Sequence, residues 1–500
     1  MALAKPARPT DDVPKSGPLG VLFSIVAWVV VLLVPLMGTW LASSLAAYGH
    51  QSRVWSVVIG LALFPTAPVV WELASTLRSG KKRWLRRRDR LVLRTLVTSL
   101  VFLAALLVLF PKTAFTALST RGDFLFDGHE GAFAARGRSV AHGAAKGLEW
   151  LYLATRETPF DSSDVAPEAT EITTRPSVPA PTTAPSSQPT TAPTIVTPAV
   201  SAAPIAVLPP SSVQTAPFSW PSSDTKLSPV VTTMPPEAEA SPASIGGYIA
   251  QHEPSQGGRA RAVHDWVADR IAYDGPSYRA GLYPPQDADT VLKKRVGVCA
   301  GYARLFAAIA KAAGLEARYV VGTVRGSDMR PDGESHAWNA VKIDGTWTLI
   351  DTTWDAGYLE GATFVKRYKV VYFGTPFEVF RVDHFPDEKE WQLAPPIDRG
   401  EFFRRPMMSA EFFADGFGLV RPERSQVTST GPFSLELSNP KKLFVLVQDQ
   451  KKHCKVNREG EKVSATCPVA EAGSHRIEIY ASHVEFGSYH YVGHVEVNRL

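Results

Sequence analysis

The stretch "ESHAWNAVKIDGTWTLIDTTWD", Glu334 to Asp355, decides how this chain of 500 residues is read. Within it "HAWNAVKI" and "TWTLIDTT" each alternate, which predicts two strands, and Asp344-Gly345 between them is a strong type I′ turn. Closing the hairpin there pairs Ile343 with Thr346 and, counting outward, Trp338 with Asp351 and His336 with Thr353. Pairing partners share a face, so His336 and Asp351 become diagonal neighbours; a slip of one residue would put them on opposite faces. The turn chemistry thus delivers an imidazole with its own carboxylate, the second half of a Cys-His-Asp arrangement.

The first half must come from three cysteines. Cys454 and Cys467 flank "KVNREGEKVSAT", where a Gly460-Glu461 turn of type II′ sets them opposite each other on a second hairpin. Opposed residues have Cα atoms about 4.5–5.5 Å apart, inside the disulfide range, so a bridge is expected and Cys299 is left over. Cys299 opens an apolar helix, "CAGYARLFAAIAKAAG", that stops at Gly314. A cysteine in a first helical turn meets the positive end of the backbone dipole and free N–H groups, both of which favour thiolate. Free cysteines commonly serve as small buried apolar residues; an odd thiol outside the membrane is what argues for a role.

Three apolar segments, residues 19–42, 54–77 and 91–115, are each long enough to cross about 30 Å of hydrocarbon. Two further spans after the first argue against a cleaved signal peptide. The loop "RSGKKRWLRRRDR", Arg78 to Arg90, carries eight Lys and Arg against one Asp, and the positive-inside rule places it in the cytoplasm. The amino terminus, with Lys5, Arg8 and Lys15, then lies on the same side and everything after Phe115 outside. The expectation is a multi-pass inner-membrane protein whose carboxyl-terminal part is periplasmic or extracellular, with membrane lipid as the partner of its three helices. Pro35, Pro65 and Pro68 would kink these helices, and Glu72 would snorkel to the cytoplasmic surface. The spans lack the interior charges that mark a transport path. A net charge of +5 is small for this length and gives no case for a nucleic-acid partner.

Residues 116–161 are expected to hold a juxtamembrane amphipathic helix, with Val140, Ala144, Leu148, Leu151 and Tyr152 at helical spacing. Residues 162–243 are rich in Pro, Thr and Ser with no apolar period, as a disordered linker is. As a flexible coil some 75 such residues span roughly 50 Å, enough to hold a head above the membrane. Order resumes at Ser244, with a helix carrying Val263, Trp266 and Val267 on one face. Beyond residue 406, "FSLELS", "KLFVLVQ", "HRIEIYAS" and "YHYVGHVEV" are short strands spaced as in a β-sandwich. His483, His490 and His494 fit no metal-site spacing, and no metal is expected.

"VGVCAGYARLFAAIAKAAGL" (296–315), "SHAWNAVKIDGTWTLIDTTWD" (335–355) and "RYKVVYFGTPFEVFRVDHFPDEKEWQLAPP" (367–396) together resemble the transglutaminase-like superfamily, most closely its kyphoscoliosis-peptidase-like branch, over residues 262–406. The resemblance implies an α+β papain/transglutaminase-like domain at 244–406, its cysteine helix packed on a sheet that carries the histidine and aspartate, followed by an immunoglobulin-like β-sandwich at 407–500. It implies Cys299 as nucleophile, His336 as general base and later acid, and Asp351 as its orienter. The substrate would be a protein or peptide amide in the envelope or extracellular space. Its acyl group would pass to water (peptidase or amidase), the closer analogy, or to an amine (transglutaminase), with no cofactor. The competing reading is a non-catalytic adhesion or assembly module. The Cys299 N–H is a natural oxyanion donor, with Gln286, Trp266 or Tyr273 as side-chain candidates. Tyr302, Trp338, Trp354 and Gln286 are candidates for the cleft wall, against ordinary core packing. Arg304 and Asp355 receive no role.

Overall fold

The computed structural model describes residues 18–78, 86–127, 129, 131–154, 159–160, 219–326, 333–393 and 395–500. Lys5, Arg8 and Lys15, most of the basic loop and the linker through residue 218 lie outside the described residues. Among those described, three helices are long and apolar enough to cross a membrane: Val29–Tyr48, Arg53–Arg78 and Arg87–Leu109. The second is interrupted at Ala62–Thr66, where Pro65 offers no N–H to the helical ladder. The third stops at Leu109, short of the expected residue 115. Pro111 opens a separate helix, Pro111–Arg121, and a residue before proline avoids helical backbone, so Phe110 sits at φ −136°, ψ 48°. Glu72 does not snorkel. It is buried between the second and third helices, where Arg90 at 2.7 Å and Arg94 at 3.1 Å supply the partners a buried carboxylate needs.

The juxtamembrane helix runs Ala132–Ala154, but its buried face is Ala134, Ala141, Ala145 and Tyr152; Val140 is 72% exposed. Its inward face is built largely of small residues, which the spacing of larger apolar residues does not reveal. This helix and Pro111–Arg121 pack directly against the head. Phe115 and Tyr152 join Phe385, Phe402 and Phe403 in one apolar cluster. Around it Arg404 donates to the Ser119 carbonyl (2.9 Å) and Arg424 to Asp123 (3.0 Å). The described part of the head therefore packs on these two helices. The expected linker is also too long: residues 219–243 belong to the head. Trp220 donates to the Val371 carbonyl at 2.8 Å, Val231 is buried, and Glu239 pairs with Arg270 (3.1 Å) and Arg295 (2.8 Å). A few anchoring side chains suffice to order a stretch whose composition resembles the linker before it.

In the head, five antiparallel strands lie in the order Phe373–Thr375, Thr346–Ile350, Glu334–Ile343, Glu316–Val324, His384–Pro386. The central hairpin has the register its turn dictates, Ile343 opposite Thr346 through Asn339 opposite Ile350, with Asp344 and Gly345 both at positive φ (49° and 84°). Helices Pro242–His252, Gln256–Arg270 and Cys299–Ala312 bury Ile249, Trp266 and Phe306 with Val341 and Ile350 of the sheet. Alternate strand residues, Trp338, Ala340 and Leu349, pack with Phe380 and Trp391 instead. Both faces of the sheet are thus covered, and apolar alternation along these strands breaks down.

The carboxyl-terminal region is rich in sheet. One sheet orders Gly418–Arg421, Phe433–Ser438, Lys462–Cys467, Lys455–Glu459; another carries Phe444–Asp449, Gly473–Ser482 and His490–Arg499. They share a core that includes Leu435, Val463, Ile477 and Val495. Gly460 at φ 63° closes the expected hairpin, Glu459 pairs with Lys462, and the Cys454–Cys467 disulfide bridges Cα atoms 4.4 Å apart.

Candidate active site

Cys299 is placed by a short parallel pairing, Ala272–Tyr273 with Val296–Gly297, that delivers the chain to the start of the helix Cys299–Ala312. Gln286 fixes this turn: its Oε1 accepts the N–H of Val298 at 2.9 Å and its Nε2 donates to the Pro284 carbonyl at 2.9 Å. Cys299 itself is free and 1% exposed. First-turn N–H groups have no acceptor within their own helix, so the peptide at Cys299 presents unspent donors beside the sulfur.

His336 lies near the start of its strand, and Asp351 is the first residue beyond the last ladder pair of the opposing one. There Asp351 caps the helix Thr352–Ala356, its Oδ1 accepting the N–H groups of Thr353 (2.8 Å) and Trp354 (3.2 Å). Its Oδ2 remains for His336 Nε2 at 2.8 Å and for a second imidazole, His384 Nε2, at 3.0 Å. His384 in turn reaches Asp383 Oδ1 through Nδ1 at 2.6 Å, and Asp383 accepts the Tyr372 hydroxyl at 2.5 Å. The ligand-type atoms of His336, Asp351 and His384 lie within 4.8 Å of one another, a spacing that could hold a metal ion and that the two imidazole–carboxylate contacts of 2.8 and 3.0 Å also satisfy.

Burial opposes every charge in this group, and the partners outweigh it at the reactive end. For His336, burial lowers the pKa, while the charges of Asp351 and Cys299 and hydrogen bonds to both raise it to about 10. Burial would raise Asp351, but the His336 charge and hydrogen bonds from both imidazoles hold it well below the usual carboxylate range. His384 is raised against its burial by the charge of Asp383 and by hydrogen bonds to Asp351 and Asp383. The arrangement favours an imidazolium beside Cys299, with the Asp351 carboxylate that stabilises it held in place by two backbone N–H groups.

A cavity of about 450 Å³ opens beside His336, walled by Trp354, Tyr273 and Tyr278 of the head and by Ser409 and Tyr491 of the carboxyl-terminal region. Trp354 faces it. Tyr302 and Trp338 do not. Tyr302 is fully buried with its hydroxyl on the Ile271 carbonyl (2.7 Å), and Trp338 lies behind His336, its ring stacked at 6.1 Å. Gln286 is spent on the Cys299 turn and not on the cleft. Of the side-chain oxyanion candidates, Trp266 is a core residue bonded to Glu239 (3.1 Å), whereas Tyr273 lines the cavity and feels the Cys299 charge. Asp355 acquires a structural role, accepting the N–H groups of Val371 (3.1 Å) and Tyr372 (2.8 Å) and bonding His264 (3.1 Å). Arg304 covers the Tyr319 ring at 5.2 Å. Sequence reasoning missed His384; its one local signal is the adjacent Asp383-His384 pair, and its meaning appears only when the edge strand docks beside Glu316–Val324.

Residues 243–352, which include Cys299, His336 and Asp351, match the family model described as the transglutaminase-like superfamily. The kyphoscoliosis peptidases of Mus musculus and Homo sapiens are each 30% identical over 239 residues, covering 45% of this chain and 35% of theirs. A Lim and transglutaminase domain protein of Caenorhabditis elegans is 28% identical over 178 residues, covering 31% of this chain and 24% of its own. The chain thus spans about a third of the length of the curated relatives it matches most extensively. Residues 243–352 of this chain thus carry a transglutaminase-like domain, and the surrounding sequence is similar to part of the kyphoscoliosis peptidases.

Proposed function

We propose that this chain is a membrane-anchored, outward-facing cysteine enzyme that transfers an acyl group from a protein or peptide amide through a thioester on Cys299. The observation that carries the reading is the 2.8 Å bond from His336 to Asp351, which leaves the other ring nitrogen to the Cys299 thiol. The Cys299 thiolate adds to the amide carbonyl, and the oxyanion takes hydrogen bonds from the Cys299 N–H and the Tyr273 hydroxyl. His336 gives its proton to the leaving amine as the C–N bond breaks, leaving a thioester and a neutral imidazole. That imidazole then takes a proton from water, the hydroxide equivalent displaces the thiolate, and the imidazolium is restored. Asp351 holds the ring in the tautomer both steps need.

Hydrolysis is the preferred outcome, in line with the peptidase named among the relatives. Transfer to an amine is the second reading, favoured by Glu334 on the cavity wall, a partner for a protonated lysine. The eight basic residues of the loop between the second and third spans support a head outside the cytoplasm, and the two-sheet region fits the immunoglobulin-like module of this branch. The test is incubation of the full chain with peptide amides, with and without a labelled primary amine, beside Cys299→Ala. Thiol-dependent release of free acid supports hydrolysis and amine incorporation supports cross-linking. Unaltered peptides alongside retained peptide binding in both proteins would move the reading to a binding module.

A further inference from the structure

Beside Cys299 sits an aromatic residue from outside the transglutaminase-like domain. Phe160, which follows the juxtamembrane helix, is 3% exposed. It packs against Cys299 and the small side chains of Ala300, Ala303 and Ala337, whose size leaves room for a ring. Tyrosines wall that space: Tyr283 meets the Phe160 ring edge-on at 5.1 Å, with Tyr273, Tyr278 and Tyr319 around the same cluster. The Tyr319 hydroxyl donates to the Phe160 carbonyl at 2.9 Å, so the pocket holds both a side chain and its main chain, the two features by which an extended peptide is gripped. Tyr273 and Tyr278 also line the open cavity with His336, so the pocket around Phe160 and Cys299 shares two walls with the cavity.

We infer that this pocket is a subsite for an aromatic side chain of the polypeptide substrate, and that Phe160 fills it in the resting chain as an internal competitor. The word substrate rests on the acyl-transfer reading; the occupancy of the pocket does not. An aromatic preference follows from the tyrosine walls, which offer edge and face contacts to a ring that an aliphatic side chain cannot use.

The test measures iodoacetamide labelling of Cys299 by intact mass, on the full chain in detergent micelles near neutral pH. If Phe160 occupies the pocket nine-tenths of the time or more, Phe160→Ala labels roughly 10-fold faster than wild type. Tyr319→Phe keeps the wall and removes one hydrogen bond, so an increase of about 5-fold is expected even if the alanine variant fails to fold. N-acetyl-phenylalanine amide should slow labelling of Phe160→Ala back toward the wild-type rate, while N-acetyl-alanine amide should not. Unchanged rates in both folded variants overturn the occupancy, and equal protection by the two amides, or none, overturns the aromatic subsite. Repeating the series in His336→Ala separates this inference from the catalytic one. A Phe160 effect that persists there, in a chain that never turns over amides even as wild type, leaves the pocket standing and removes acyl transfer.

Discussion

Two of the buried histidines that bond aspartates in the head, His264 and His336, differ in what their second ring nitrogen meets. His264 spends both ring nitrogens, Nδ1 on Asp265 (2.9 Å) and Nε2 on Asp355 (3.1 Å), and both carboxylates are fully buried. His336 gives one nitrogen, Nε2, to a carboxylate, that of Asp351, and leaves the other for the Cys299 sulfur beside the cavity. Burial lowers both pKa values and neighbouring aspartates raise them, to about 8 for His264 and about 10 for His336. Charge state alone therefore does not distinguish the two. The nitrogen left over does. His264 joins the helix Gln256–Arg270 to the segment after the central hairpin, while His336 has a proton to give. His384, with a carboxylate on each nitrogen, belongs with His264 as a brace, although one of its carboxylates is Asp351, which also bonds His336.

That contrast breaks most visibly through His336→Ala, which should lower kcat/KM by about 10⁴-fold. Peptide-amide turnover by the folded variant checks it, and activity within a factor of a few of wild type would end the distinction. His264→Ala comes next in size: two buried carboxylates lose their shared partner, costing about 3–5 kcal/mol by denaturant titration, with the pH profile of surviving activity unchanged. A profile that shifts as it does in His336→Ala would place His264 in the chemistry instead. Removing the Cys454–Cys467 bridge by paired serine substitutions should cost about 3 kcal/mol from loop entropy and leave turnover per folded molecule intact.

The smallest effect sharpens the electrostatics. The folded pKa of His336, about 10, lies above the ordinary 6.5, so its contribution to stability is complete below about pH 6.5 and is lost as pH rises through about 10. The Tm gap between wild type and His336→Gln should accordingly narrow when melts at about pH 6 are compared with melts at about pH 10.5. A constant gap would mean that the imidazolium is not held.

Local chemistry made the hairpin and the disulfide legible, because Asp344-Gly345 and Gly460-Glu461 each admit one turn and each turn fixes a register. The same count expected Trp338 opposite Asp351 and His336 opposite Thr353, but the ladder ends at Asn339–Ile350 and Thr352–Ala356 is helical, so Asp351 meets His336 as a helix cap and not as a strand neighbour. What the sequence hid depends on distant segments. Tyr302 and Trp338 share the aromatic character of Trp354, but only packing on both sheet faces decides that they point into cores. His384 reaches Asp351 from an edge strand, and Phe160 reaches Cys299 from beyond the helix Ala132–Ala154; neither approach leaves a periodic trace. The linker was drawn too long because composition reports an average, whereas Trp220 and Glu239 anchor through single contacts.

The central claim, an imidazolium at His336 poised against Cys299, is tested most directly by the rate of iodoacetamide labelling as a function of pH in Phe160→Ala beside the Phe160→Ala, His336→Ala double variant. Labelling that is already fast at about pH 6, stays level through about pH 9 and loses that plateau without His336 is the predicted result. Superimposable profiles in the two proteins, both rising only near about pH 8.5 as an ordinary thiol does, would contradict it.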